Sequence, residues 1–109
     1  MTRTGVFDAL APEQPYPGID RRVLGTEKAT VQQYRFDAGA TFPLHRHPQE
    51  QTTLVIEGEV ALTAGGETRT LAAGGWSIIP GEVEHGITAG PAGARFIAIL
   101  VPPRKEPLP

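Results

Sequence analysis

Hydrophobic and polar residues alternate along much of this chain, as they do in strands that bury one face. Residues 30–37 place Gln32, Tyr34 and Phe36 on one face. No segment combines a helix cap with a hydrophobic period of 3.6 residues. The pattern therefore predicts an all-β fold of about nine short strands, over residues 19–24, 30–37, 41–47, 51–57, 59–63, 67–71, 76–79, 85–88 and 95–101.

Turn-forming residues separate these runs, because 13 glycines and 11 prolines occur among the 109 residues. Gly65-Gly66 is typical of a tight hairpin, since glycine readily adopts the positive φ that such turns need. A chain of this length forms one domain. We expect an irregular N-terminal arm over 1–18, a barrel over 19–101 and a Pro-rich C-terminal tail over 102–109.

The composition argues against several classes of partner. The formal net charge is -2, so no excess of positive charge favours nucleic acid or an anionic membrane. There is no cysteine, which excludes disulfides and thiolate metal sites. The sequence has no apolar run of membrane-spanning length and no signal-peptide core, so a cytoplasmic location is expected.

The stretch from His45 to Gln51 carries the most distinctive chemistry. His45 and His47 lie two residues apart, and residues i and i+2 of a strand point to the same face. Gln51 adds an amide oxygen, and His85, the third and last histidine, follows later. Imidazole nitrogens with one hard oxygen suit a borderline divalent cation such as Zn, Ni, Fe or Mn. An isolated His-x-His pair is more often an ordinary surface or core pair, so the surrounding pattern decides.

That pattern resembles the two motifs of the cupin superfamily, G-x5-H-x-H-x3-E-x6-G and G-x5-P-x-G-x2-H-x3-N. The first block runs from Gly39 to Gly58, and the second runs from Gly74 through Pro80 to Ala89. The resemblance implies a single-domain cupin β-barrel, also called a double-stranded β-helix or jelly roll. It also implies one divalent metal ion per chain, held by His45, His47, Gln51 and His85.

Three residues depart from the superfamily pattern. Gln51 stands in the place of the motif glutamate, Glu82 in that of the middle glycine, and Ala89 in that of the final asparagine. Small cupins with the run H-x-H-P-x-E-Q share the glutamine, which implies that Gln51 binds metal through its carbonyl oxygen. Glu50 is the alternative donor, but a shift of one residue puts a side chain on the opposite face of a strand. Gln51 is therefore favoured.

Small barrels of this type hold one ligand inside. The alternation assigns five positions to the face of the expected cavity, with ordinary core packing as the alternative role for each. These candidate substrate-pocket residues are Thr53, Val55, Phe96, Ala98 and Leu100.

A narrower resemblance links residues 17–24, 45–51 and 65–69 and the Pro-Pro-Arg tail to small cupins of pectin and alginate breakdown. Those proteins linearise unsaturated monouronates, using an acidic residue on the last strand and an arginine in the tail. Arg104 matches that arginine and is the candidate catalytic residue, with a solvated tail arginine as the alternative. Ala98 falls where the acid is expected, which removes the proton-transfer group.

Two classes of function follow from these residues. The first is a metal-dependent enzyme, of isomerase or lyase type or else a dioxygenase, that acts on a small anionic sugar- or carboxylic-acid-like substrate. The second is a metal-containing module that binds a small molecule without turnover. The family resemblance, with an apolar N-terminal arm that a small barrel does not obviously accommodate, also predicts a homodimer.

Overall fold

The computed structural model describes residues 1–105, so the last four residues of the predicted C-terminal tail, 106–109, lie outside the described residues. A 3-10 turn, Phe7–Ala9, precedes seven strands. They are β1 (Ile19–Gly25), β2 (Thr30–Phe36), β3 (Thr41–His45), β4 (Glu50–Ala64), β5 (Glu67–Ala72), β6 (Trp76–Ile79) and β7 (His85–Val101). The all-β prediction is confirmed.

The strands β4 and β7 are longer than predicted. They pair with each other antiparallel in two stretches, with irregular register around Gly58. Gly58 (φ +72°) and Gly93 (φ +75°) face each other there. The turns predicted between residues 57 and 59 and between residues 88 and 95 are therefore wrong. Gly58 is a bend within β4 and Gly93 is a bend within β7. Each bend joins two of the predicted strands into one, so there are seven strands instead of the nine expected.

The bends carry both long strands from one sheet into another. Before the bend, β4 pairs with β6, and after it with β5. The first part of β7 pairs with β3 and the last part with β2, which in turn pairs with β1. We call β1, β2, β6 and residues 50–57 and 94–101 the large sheet. The remaining strands, β3, β5 and residues 59–64 and 85–89, form the small sheet.

The core lies between the inner faces of the sheets. Tyr34 stacks on Phe96 with ring centroids 4.9 Å apart, and Phe36 and Phe42 contact Tyr34 edge-on. Offset and edge-on pairs are favourable arrangements for aromatic rings. The alternation predicted for residues 30–37 is confirmed, because its inward side chains are buried and its outward ones are not. The buried cluster is Ile19, Tyr34, Phe36, Phe42, Val55, Val60, Ala89, Ala94, Phe96 and Ala98.

The N-terminal arm contacts β1. The Arg22 guanidinium donates to the carbonyls of Asp8 and Leu10, 2.8 and 2.7 Å away. Glu13 pairs through its backbone with Arg21, whose buried guanidinium also bonds the Glu13 carboxylate at 2.9 Å. The N-terminal arm therefore lies against its own sheet.

Within residues 1–105, no helix is long and apolar enough to cross a membrane.

The bend at Gly58 gives a test of the fold. A Cβ at Gly58 would lie 2.1 Å from the Gly93 carbonyl oxygen, whereas a Cβ at Gly39, at nearly the same φ, would meet nothing within 4 Å. We expect Gly39→Ala to cost about 1 kcal/mol of unfolding free energy from backbone strain alone. Gly58→Ala should cost clearly more, because the bend must also open. Urea denaturation of both variants measures the difference, and equal losses would show that the close contact does not constrain the bend.

Candidate metal centre

Two histidines face each other across paired strands. His45 is the last residue of β3 and His85 the first of β7, and they are direct Cα partners. An irregularity between Phe42 and His45 adds one residue to β3 relative to β7. Such a bulge re-aims side chains at the end of a strand. It brings the His45 and His85 ring centroids to 4.3 Å.

His47 lies in a loop and is not oriented by strand alternation as predicted. The strand expected over 41–47 ends at His45, so strand alternation does not orient His47. The loop 46–49 instead packs on the loop after β6. There the Glu82 N–H donates to the His47 carbonyl at 2.8 Å. The Pro48 carbonyl oxygen lies so close to Gly81 that a Cβ on this residue would be only 2.2 Å from it. These contacts turn the His47 ring inward, with its centroid 4.8 Å from that of His85.

Each imidazole is held by a backbone carbonyl at Nδ1. His45 faces Pro43 O at 2.9 Å, His47 faces Gln49 O at 3.1 Å and His85 faces Val83 O at 2.8 Å. A carbonyl oxygen only accepts, so Nδ1 carries the proton in each ring and Nε2 keeps a free lone pair. This is the tautomer that leaves Nε2 available to a metal.

Gln51 turns its amide oxygen towards the histidines. Its Oε1 lies 3.2 Å from His47 Nε2, and its Nε2 donates to Thr53 Oγ1 at 3.1 Å. Two lone pairs then face each other across 3.2 Å, an arrangement that a cation or a proton between them stabilises. Glu50, the alternative donor, is exposed at the start of β4.

Burial favours the neutral form of His45 and His85. The pKa of His45 is lowered to about 4, chiefly by burial and in smaller part by neighbouring positive charges. Burial also lowers the pKa of His85. Neutral imidazole is the form that binds metal, so protons compete weakly with a cation here at neutral pH.

The four donors fit a divalent metal ion. Candidate ligand nitrogens of His45, His47 and His85 lie within 4.8 Å of one another. His85 Nε2 is buried and has no hydrogen-bond partner within residues 1–105. Buried polar atoms are rarely left unpaired, and a metal bond at Nε2 would satisfy this one. The donor set suits Zn, Ni, Fe or Mn.

The free space beside the histidines is about 20 Å³. That volume admits one water molecule or ion but not a sugar-sized ligand. The space therefore fits a metal ion rather than a whole substrate molecule. The space is lined by Tyr34, Phe42, His45, Gln51, Leu62, His85, Gly86, Ile87 and Phe96.

The candidate pocket residues divide into two groups. Phe96 lines the space beside the histidines. Val55 and Ala98 are buried in the core cluster, and Thr53 and Leu100 are also almost fully buried. Alternation identified their inward direction, but it does not distinguish a cavity wall from packed core.

Tyr34 lines the same space and was not among the sequence candidates. Its hydroxyl lies 3.4 Å from both the Arg21 guanidinium and Gln32 Oε1. Burial raises the pKa of Tyr34, against the effect of Arg21, which favours the phenolate. The signal was present in the sequence, because Tyr34 lies on the inward face of residues 30–37.

Arg104 lies within electrostatic reach of the centre. Its backbone N–H donates to Thr30 Oγ1 at 2.9 Å, which holds the start of the tail against β2. Its charge contributes to lowering the pKa of His45.

The family comparison covers most of the barrel. The sequence model of the family described as a cupin domain matches residues 32–100 of this chain. Dimethylsulfoniopropionate lyase DddW of Ruegeria pomeroyi is 39% identical over 61 residues, which are 56% of this chain. The chain spans only 40% of the length of that lyase.

The similarity to solved structures extends over nearly the whole chain. An RmlC-like cupin from Shewanella frigidimarina superposes with a TM-score of 0.86 at 27% identity, over 96% of this chain and 95% of that one. KdgF from Halomonas sp. superposes with a TM-score of 0.82, also at 27% identity, over 94% of this chain and 97% of that one.

The donor set gives a direct test. His47→Ala and His85→Ala should each abolish stoichiometric metal, because each removes one of three converging nitrogens. Elemental analysis of folded, desalted protein after incubation with Zn²⁺ or Ni²⁺ measures the number of metal ions per chain. Arg46→Ala, which changes an exposed neighbour of the two ligands, should keep one ion per chain. Unchanged metal in both histidine variants would contradict the assignment.

Thr53 gives a second test, because its hydroxyl holds the amide nitrogen of Gln51 while the amide oxygen faces the histidines. Thr53→Val keeps the shape but loses this partner. We expect metal affinity to fall about 10- to 100-fold, as for other residues that orient a ligand. Thr53→Ser keeps a hydroxyl and should retain most of the affinity. Chelator competition measures both, and a Co²⁺ absorption spectrum reports whether the ligand set changes. Wild-type affinity and spectrum in Thr53→Val would mean that Thr53 only packs.

Proposed function

The chain belongs to the cupin family, and on that premise we propose that it is a metal-dependent isomerase or lyase acting on a small carboxylate-bearing substrate. The convergence of three imidazole Nε2 atoms and one amide oxygen carries the proposal. One divalent ion per chain would be held by His45, His47, Gln51 and His85.

The charge of the donor set supports an anionic substrate. Three neutral imidazoles and an amide cancel none of the charge of a divalent ion, whereas a glutamate at position 51 would cancel one unit. When bound, such an ion supplies Lewis-acid polarisation of a carbonyl or carboxylate. The positive charge of Arg104 adds to the attraction for an anion, and we assign it the role of binding the substrate carboxylate.

The apolar side chains near the histidines would limit the access of water. Phe42, Leu62 and Ile87 line the space together with the polar candidate ligands. A drier site strengthens the interaction between a carboxylate and the charges that bind it. This supports binding of small acids rather than large polar ligands.

The sequence similarity supports this class of chemistry. The resemblance to uronate-linearising cupins and the partial match to a dimethylsulfoniopropionate lyase both involve small substrates with a carboxylate. Ala98 supplies no acid, so strong activity on unsaturated monouronates is not expected. We therefore propose that the substrate is a different carboxylic acid, which the protein converts by isomerisation or elimination.

Two alternatives remain. A redox metal in the same donor set would permit dioxygenase chemistry. The same metal centre would also serve a module that binds a small molecule without turnover. The homodimer and the cytoplasmic location stay predictions.

A substrate screen separates these functions. Protein reconstituted with Zn²⁺, Ni²⁺, Mn²⁺ or Fe²⁺ is incubated with unsaturated monouronates, keto acids, dimethylsulfoniopropionate and catechols, and products are identified by mass spectrometry and NMR. We expect metal-dependent turnover of a carboxylate substrate, lost in His85→Ala, with weak or no activity on the uronates. Oxygen consumption with catechols would favour the dioxygenase, and saturable binding without product the binding module.

A further inference from the structure

A polar cavity of about 410 Å³ lies on the outer face of the large sheet, the side turned away from the histidines. Its volume is within the range that holds a small molecule, whereas the space beside the histidines is about 20 Å³. The walls come from β1, β2, β7 and the 3-10 turn of the N-terminal arm. The lining includes the charged residues Asp8, Asp20, Arg22, Arg35 and Arg95 and the amide of Gln33.

Two arginines stand side by side in this cavity. Arg35 of β2 and Arg95 of β7 are direct partners, and each lies next to a buried inward residue, Tyr34 or Phe96, so both point outward. Both side chains are 55% exposed. Like charges directly opposite each other in a sheet repel. An anion between the two guanidinium groups would relieve this repulsion.

The neighbouring acids pair with these arginines only loosely. Asp20 Oδ2 lies 3.6 Å from a terminal nitrogen of Arg35, and Glu57 Oε2 lies 3.6 Å from Arg95 Nε. Charge-assisted hydrogen bonds are shorter, at about 2.7–2.9 Å. Asp20 also accepts a hydrogen bond from the Gln14 amide at 3.0 Å. A guanidinium carries five N–H donors, so both arginines keep donors for a ligand.

A third guanidinium closes the cavity on the side of the arm. Arg22 is the β1 partner of Gln33, and it donates to the carbonyls of Asp8 and Leu10 at 2.8 and 2.7 Å. These carbonyls fix its position but carry no formal charge. The lining holds three arginines and two aspartates, which is a formal charge of +1, although the whole chain has -2. The cavity is therefore a positive region on an acidic protein.

We propose that this cavity binds a small oxyanion, namely a phosphate or carboxylate group carried on a hydroxylated molecule of about sugar size. Arg35 and Arg95 clamp the anionic group, because planar guanidinium groups match the oxygens of phosphate and carboxylate. Gln33 and the aspartates Asp8 and Asp20 offer an amide and acceptors for the hydroxyl groups of the ligand. The site uses none of the candidate metal ligands, so it does not depend on the function proposed for the metal centre.

Titration of the whole chain with inorganic phosphate, glucose 6-phosphate and glucuronate tests the site, with ionic strength held constant because salt screens exposed charges. NMR of the backbone amides should show saturable shifts grouped at residues 20–22, 33–35 and 95. Tighter binding of glucose 6-phosphate or of glucuronate identifies the anionic group. No binding of any probe at about 10 mM, or shifts confined to the histidines, would overturn the proposal. Inorganic phosphate that binds as tightly as the sugar derivatives would overturn the assignment of a hydroxylated ligand.

Charge variants distinguish a binding site from a set of structural ion pairs. Arg95→Gln should weaken anion binding at least about tenfold, because half of the clamp is lost. In phosphate-free buffer it should not lower Tm, since it also removes the repulsion with Arg35. Glu57→Gln removes the acid partner of Arg95 and should strengthen binding. Arg69→Gln, at an exposed arginine paired with an acid on β5, is the matched control and should bind like wild type. A lower Tm with unchanged binding in Arg95→Gln, or no gain in Glu57→Gln, would show that the arginines serve only the sheet.

Discussion

The structure depends on the antiparallel pairing of β4 with β7. One end of this pairing places Gln51 opposite Leu100, and the other places Ala64 opposite His85. If the strands ran straight, Gln51 and His85 would lie far apart. The close contact of Gly58 with Gly93 bends both strands together, and Gln51 and His85 line the same small space as a result. The donor set is therefore assembled by the bend as much as by the motif spacing.

Much of the fold was readable from local pattern, because alternation with a period of two depends only on which face is buried. It identified the inward residues of β2 and β7, whereas the motif spacing identified the histidines as a group. It did not distinguish a bend from a reversal at Gly58, since both need glycine at positive φ. The outcome there depends on Gly93, which is distant in sequence. His47 is a similar case, because its orientation depends on hydrogen bonding to Glu82 and on the missing side chain of Gly81.

Glu82 shows how a departure from the family motif is accommodated. It stands where the resemblance implies a glycine, and it adopts φ 68°, the only positive φ of a non-glycine residue within residues 1–105. Such a conformation costs on the order of 1 kcal/mol. Its N–H donates to the His47 carbonyl, which stabilises the loop that holds a candidate ligand. Glu82 therefore adopts the positive φ that a glycine would readily adopt at this position. This position of the motif requires a backbone conformation rather than one residue type.

The centre disfavours an isolated positive charge. Burial lowers the pKa of His45 and His85 because a positive charge in this space is poorly solvated. A divalent ion held by these residues would meet the same penalty, which four neutral donors would offset only through their dipoles. A carboxylate ligand bound beside such an ion would cancel one of its two positive charges. With Gln51 in the place of the motif glutamate, the donor set has no carboxylate of its own, so an anionic ligand would supply the negative charge that the protein does not.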